Sequence, residues 1–145
     1  DRVMSKGMVV YTKDKQGVSE KFYAEDVKHV SVPMAVLVNG NSASASEVFS
    51  GALQDKKKAK LIGTKTFGKG IVQTIFDLQD GSALKMTTSK YYTPSGRNIH
   101  GTGLEPDIKV ELDKSMVGQK DKNGKLKPDN QMQKAIDYLK GQIKG

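Results

Sequence analysis

The sequence predicts a mixed α/β fold that opens with a β-hairpin and closes on an amphipathic helix. Three observations predict it. Residues 8–12 and 19–24 are short β-favouring segments separated by the turn Asp14-Lys15-Gln16-Gly17. The continuous apolar run Met34-Ala35-Val36-Leu37-Val38 is followed by a stretch of helical period and then by a further short strand-like run at 60–63. Residues 130–144 carry an apolar stripe at helical spacing.

Each element follows from local chemistry. Met8 to Thr12 is apolar and β-branched, and Ser19 to Ala24 alternates polar with apolar, so the two pair as a hairpin. Pro33 precedes the 34–38 run, whose length and unbroken apolarity predict a strand buried on both faces of a parallel sheet. Asn39-Gly40-Asn41 ends it. From Ser44 to Lys56, Val48, Phe49, Ala52 and Leu53 form one helical stripe, while Ser44, Glu47 and Gly51 share another face. Lys60 to Gly63 reads as the next strand, and strand–helix–strand predicts a right-handed crossover. Residues 71–78 and 83–91 form a second hairpin around Asp80-Gly81. Residues 94–103 read as a glycine-containing loop, and 106–112 return to strand-like alternation. Residues 115–128 are polar, lysine-rich and without period, which reads as a mobile linker. In the final helix Met132, Ala135, Ile136, Leu139 and Ile143 make the stripe, Asp129 or Asn130 caps the start, and Lys140 and Lys144 complement the dipole at the end. The chain thus divides into 1–113, a polar linker 114–128, and a helix 129–145 belonging to the same domain.

Composition narrows the chemistry. A length of 145 residues suits one core. The absence of cysteine excludes a disulfide framework, thiolate metal sites and thiol catalysis. The two histidines, His29 and His100, form no zinc motif, and no metal or cofactor is expected. No run approaches the roughly 20 apolar residues of a membrane span. No signal-peptide pattern stands at the start, and the chain opens on Asp1, as an internal fragment of a longer chain would. Net charge is +8, with lysines concentrated at 56–60 and 120–127. A nucleic-acid module would interleave such charges with aromatics. Aromatics are 6% of this chain and none falls in either cluster, so no specific nucleic-acid partner is expected. The clusters read as solvated basic faces, with general attraction to anionic lipid, cell-wall polymer or nucleic acid as the alternative.

Chemistry concentrates around Ser44 and Lys69, which lie in Gly40-Asn41-Ser42-Ala43-Ser44-Ala45-Ser46-Glu47 and Thr66-Phe67-Gly68-Lys69-Gly70. Serine is a poor nucleophile until a neighbour takes its proton, and a lysine of lowered pKa can be that neighbour. Ser44 falls where a strand turns into a helix, so free backbone N–H groups can stabilise an oxyanion, with the Ala45 N–H as the natural donor. The competing reading is plain N-capping by Ser42 or Ser44, with Glu47 completing a capping box. Lys69 sits between two glycines, which permit a sharp turn. Gln73 lies four residues on, on the same strand face, where it can orient the amine. Glu47, an acid, suits orientation better than lowering the lysine's pKa. Lys65 is a rival base without flanking glycines, and His100 a rival within a loop.

These residues also carry a resemblance. Residues 33–112 resemble the carboxyl-terminal processing peptidases, or tail-specific proteases, of the S41 serine peptidase class. The matching runs are 36–47 around Ser44, Gly51-Ala52-Leu53-Gln54-Asp55, Gly63 to Gly70, Tyr92-Thr93-Pro94-Ser95-Gly96-Arg97 and Gly103-Leu104-Glu105-Pro106-Asp107-Ile108. The resemblance implies a ClpP/crotonase-like core and a serine endopeptidase that cuts proteins near their C-termini through a Ser–Lys dyad. It implies Ser44 as nucleophile, Lys69 as general base, Gln73 as support for the lysine, Glu47 as a further site residue, and the Ala45 N–H as one oxyanion donor. It places the second donor in a glycine segment upstream of this sequence, as with the PDZ domain that reads the substrate tail. Residues 1–113 are therefore expected to be the catalytic part of such a domain, with little or no activity alone. The alternative is a binding or assembly fragment, and acyl-CoA chemistry on a crotonase-like core is a third reading. The implied partners are proteins or peptides with exposed C-terminal tails. The implied setting is extracytoplasmic, in a membrane-anchored or secreted parent. Unpartnered sheet edges predict a homo-oligomer or swapped dimer of the fragment.

Overall fold

The computed structural model describes residues 2–25 and 28–143. Seven strands and two α-helices alternate along it: β1 (Gly7–Lys13), β2 (Val18–Ala24), β3 (Met34–Val38), α1 (Ala45–Asp55), β4 (Ala59–Gly63), β5 (Ile71–Asp77), β6 (Ala83–Tyr92), β7 (Ile108–Lys109) and α2 (Asn130–Ile143). The strands form two sheets. One is antiparallel, in the order β2-β1-β6-β5; the other is parallel, in the order β3-β4-β7. The mixed α/β expectation, with its opening hairpin and closing helix, is met.

The parallel sheet positions the site. β3 and β4 pair from Met34 opposite Ala59 to Val38 opposite Gly63, and α1 makes the crossover between them. Ala52 and Leu53 of α1 are fully buried with Met4, Ala24 and Ala59, while Val38, Leu61, Ile99 and Leu104 form a second cluster. Val36 packs against both. Burying each large aliphatic side chain contributes about 1.5–3 kcal/mol, so these two small clusters account for much of the hold between helix and sheet. Gly51 shows how close that packing is. A Cβ there would lie 2.8 Å from Thr93 Cγ2.

Three expectations change. β3 is parallel as predicted but not buried on both faces, since Leu37 is 46% exposed and the strand lies at the edge of its sheet. The 106–112 strand shrinks to Ile108–Lys109. Pro106 has no N–H to give a ladder. Asp107 uses its carboxylate instead, accepting from the Leu61 N–H at 2.9 Å and pairing with Lys60 at 3.0 Å. The 114–128 segment is hydrogen-bonded rather than structureless, with a 3-10 turn at Lys114–Met116 and a small hairpin in which Lys120 bridges Leu126.

The start of α2 settles the choice of cap, while Lys144 at its far end lies outside the described residues. Asp129 accepts from the Met132 N–H at 2.8 Å, whereas Asn130 turns back to bind Glu111 O and the Asp113 N–H. α2 packs on β3 and β4. Its stripe is covered only in part, with Ala135 buried and Met132 and Ile143 exposed. The β5–β6 hairpin also leaves Ile75, Phe76, Leu84 and Met86 exposed.

Candidate active site

Ser44 is the residue immediately before α1, and its backbone is strained. Its φ of 56° and ψ of −117° lie where L-residues rarely sit. Such a conformation costs about 1–3 kcal/mol and persists only when its surroundings impose it. Two backbone bonds impose it here: the Glu47 and Val48 N–H groups both donate to Ser44 O, at 2.9 and 3.0 Å. A third contact comes from the Ser44 N–H, which donates to Glu47 Oε2 at 3.0 Å. The result is a sharp strand-to-helix turn with the serine at its apex. Ser42, the other candidate cap, is used elsewhere: its Oγ accepts from the Asn39 N–H and its carbonyl from the Phe67 N–H.

Glu47 is the hub of the site. Its side chain is completely buried, yet no cation pairs with it among the described residues. Four donors satisfy it instead. Oε1 accepts from Thr66 Oγ1 at 2.5 Å and the Gly68 N–H at 2.7 Å, while Oε2 accepts from the Ser44 N–H at 3.0 Å and the Lys69 N–H at 2.8 Å. One carboxylate oxygen therefore binds the backbones of both residues singled out from sequence. A buried acceptor with its lone pairs filled in this way holds its donors firmly, because each would otherwise be stranded away from water.

The lysine loop is pinned from its other side too. The Gly101 N–H donates to Gly68 O at 2.9 Å, and Thr66 Oγ1 accepts from the Leu104 N–H at 2.7 Å. The glycines flanking Lys69 have separate reasons. Gly68 has φ 91°, and a Cβ on Gly70 would sit 2.6 Å from the His100 backbone nitrogen.

The side chains are less constrained than the backbones. Lys69 and Gln73 are both exposed. Among the described residues, no hydrogen bond links Lys69 Nζ to Ser44 or to Gln73. The rival Lys65 is ion-paired to Glu105 at 3.0 Å, and His100 is exposed on the loop that holds Gly68. The Ala45 N–H, first of the helix, donates to nothing among the described residues.

An apolar cavity of about 360 Å³ opens beside the serine. Val9, Val10, Phe22, Val48, Phe49 and Tyr91 line it, with Ser44 and Ala45 among its walls. Strands of the antiparallel sheet and the first turn of α1 thus border one open groove next to one hydroxyl.

Two supports escaped sequence reasoning. Thr66 links Glu47 to Leu104, and nothing in its sequence surroundings marks a buried hydroxyl. Asp55, at the end of α1, pairs with Arg97 and accepts from the Ser95 N–H at 2.8 Å. Burial alone would raise the Asp55 carboxyl, but hydrogen bonds from Thr93 and Ser95 and the Arg97 charge outweigh it and hold it below the ordinary 3.8. The matching run Gly51 to Asp55 and the run ending at Arg97 were both visible in sequence, but not that they meet.

The sequence pattern of Peptidase family S41 matches residues 1–110. The chain is 48% identical over 103 residues to a carboxyl-terminal-processing protease of Synechocystis, covering 71% of this chain and 24% of that protein. It is 50% identical over 114 residues to a carboxy-terminal-processing protease of Bartonella bacilliformis, covering 77% of this chain and 26% of that protein. Among solved structures it is similar to a photosystem II D1 C-terminal processing protease, with TM-score 0.73 and 40% identity over 76% of this chain and 29% of that one. The chain spans about a quarter of the length of these curated relatives.

Proposed function

The chain belongs to peptidase family S41, and on that premise we propose that it carries the Ser–Lys dyad of a serine endopeptidase that cuts proteins near their C-termini. The observation that carries this reading is the shared acceptor: Glu47 Oε2 takes the N–H of both Ser44 and Lys69. Nucleophile and base are held by one carboxylate, so the loop and the helix start move together. The strained Ser44 backbone and the unused Ala45 N–H support the same reading.

In this mechanism Ser44 Oγ attacks the scissile carbonyl. Lys69, as general base, takes the hydroxyl proton and later returns a proton to the leaving amine. The oxyanion rests on the Ala45 N–H, with a second donor required for full effect. The apolar cavity receives the side chain next to the cut bond, which favours small or aliphatic residues there. Glu47 orients both partners, and Gln73 steadies the lysine once its side chain turns toward Ser44. Turnover of a tailed peptide by a full-length S41 protease carrying these residues tests the dyad. Ser44→Ala and Lys69→Ala each abolish cleavage. Full activity in Lys69→Ala refutes the assignment.

The exposed Lys69 side chain favours a second reading for the chain alone, that of a binding or assembly module unable to hydrolyse peptides. Loss of one oxyanion donor costs about 100- to 1000-fold in rate. Ser44-dependent turnover by the isolated chain would overturn the module reading. The exposed apolar side chains of the β5–β6 hairpin support self-association of the isolated chain, which light scattering reads directly; a monomer at high concentration contradicts it.

A further inference from the structure

The hairpin between β7 and α2 has no part in the chemistry above, and its construction is specific. The 114–127 segment holds five lysines, at 114, 120, 122, 125 and 127, against one acid, Asp121. All five lysines are exposed, and none forms an ion pair among the described residues. Asp121 spends its carboxylate on the turn, where Oδ1 accepts from the Asn123 and Lys125 N–H groups at 2.8 and 3.0 Å. Backbone bonds from Asp121 N to Lys125 O and from Lys127 N to Gln119 O, both 2.8 Å, close the hairpin. The positive charge is thus displayed on an ordered tip. Leu126, 65% exposed, lies in the hairpin, and Val117, 55% exposed, lies two residues before it in the chain. Leu126 lies opposite Lys120 in the bridge, so the two share a face of the hairpin.

We propose that this hairpin docks on an anionic bilayer surface, with the lysines against acidic headgroups and Leu126 and Val117 in the interface. Unpaired lysines are attracted to such a surface, and exposed aliphatics gain only where apolar material lies beneath the charge. A nucleic acid would supply the charge but nothing for the aliphatics, and residues 112–129 contain no aromatic to stack on a base.

The test is sedimentation of the chain with vesicles of phosphatidylcholine alone or with one-third phosphatidylserine, at low and physiological salt. Binding is expected on the mixed vesicles only, weakening as salt rises. Lysine near an anionic surface is worth about fivefold in affinity, so replacing Lys120, Lys122, Lys125 and Lys127 by Gln lowers binding by about 600-fold. Leu126→Ser weakens binding severalfold and leaves the salt dependence unchanged. Gln at Lys56, Lys57 and Lys58, the other basic cluster, has little effect. Far-UV circular dichroism establishes that each variant is folded. Equal binding to phosphatidylcholine, equal loss in the Lys56–58 variant, or binding to duplex DNA at least as tight and indifferent to Leu126→Ser would each overturn the proposal.

Discussion

Replacing Glu47 by Gln removes a charge and one acceptor while keeping the shape. Two orientations of the new amide are available. With its NH2 at the Oε2 position it faces the Ser44 and Lys69 N–H groups, donor against donor twice. With its NH2 at the Oε1 position, the Thr66 hydroxyl can accept from it while still accepting from the Leu104 N–H, which leaves the Gly68 N–H and the Thr66 O–H without an acceptor. The second orientation wins. Each stranded buried donor costs about 1–3 kcal/mol. The two surviving bonds fall from charge-assisted to neutral strength, roughly 1 kcal/mol each. With two donors stranded, the expected loss is therefore about 4–8 kcal/mol, a large share of the 5–15 kcal/mol typical of a domain. Urea unfolding followed by far-UV circular dichroism measures it. Amide hydrogen exchange locates it, with Gly68 losing most protection and Ser44 and Lys69 less. On the proposed dyad, loosening both residues in an active full-length protease lowers kcat by about 100-fold, as small misplacements of reacting groups do. A Glu47→Gln chain within about 0.5 kcal/mol of the parent, with Gly68 exchange unchanged, would refute the hub argument.

Further outcomes follow from the same geometry. Gly51→Ala pushes a methyl against Thr93 Cγ2 and costs about 1–3 kcal/mol by overpacking, seen as a lowered urea midpoint. Lys65→Ala breaks an exposed ion pair with Glu105 and changes stability by less than about 1 kcal/mol, leaving cleavage by the full-length protease intact. Asp55 is held below 3.8 in the fold, so its contribution is complete above that pH and is lost as pH falls through its lowered value. Asp55→Asn therefore destabilises clearly at pH 7, and urea midpoints of variant and parent converge as the pH falls below 3.8. A constant gap across that range would contradict the charge assignment.

The elements were legible because they rest on local chemistry. Asp80-Gly81 fixes one hairpin, the 34–38 run gives a parallel strand, and the Val48–Leu53 stripe gives α1. β7 was overread because alternation at 106–112 says nothing of Pro106 or of the Asp107 carboxylate replacing a ladder bond. The turn that orders 119–127 was hidden for a related reason: Asp121 makes it with its side chain, leaving no hydrophobic period to read. At the site, Ser44 and Lys69 stood out as a serine in a small-residue turn and a lysine between glycines. Glu47 read equally well as a capping residue, and its N–H acceptor role toward Ser44 matches that. Its bonds to Thr66, Gly68 and Lys69 span about twenty residues, which only the folded chain brings together.

The awkward dihedral angles at position 44 have an evolutionary corollary. Glycine would occupy that turn without the strain a Cβ brings, so the serine there costs the fold about 1–3 kcal/mol. Once a lineage no longer needs the hydroxyl, drift toward glycine should restore on the order of 1 kcal/mol. A glycine found there in a diverged copy would mark a retired enzyme more surely than the loss of any solvent-facing lysine.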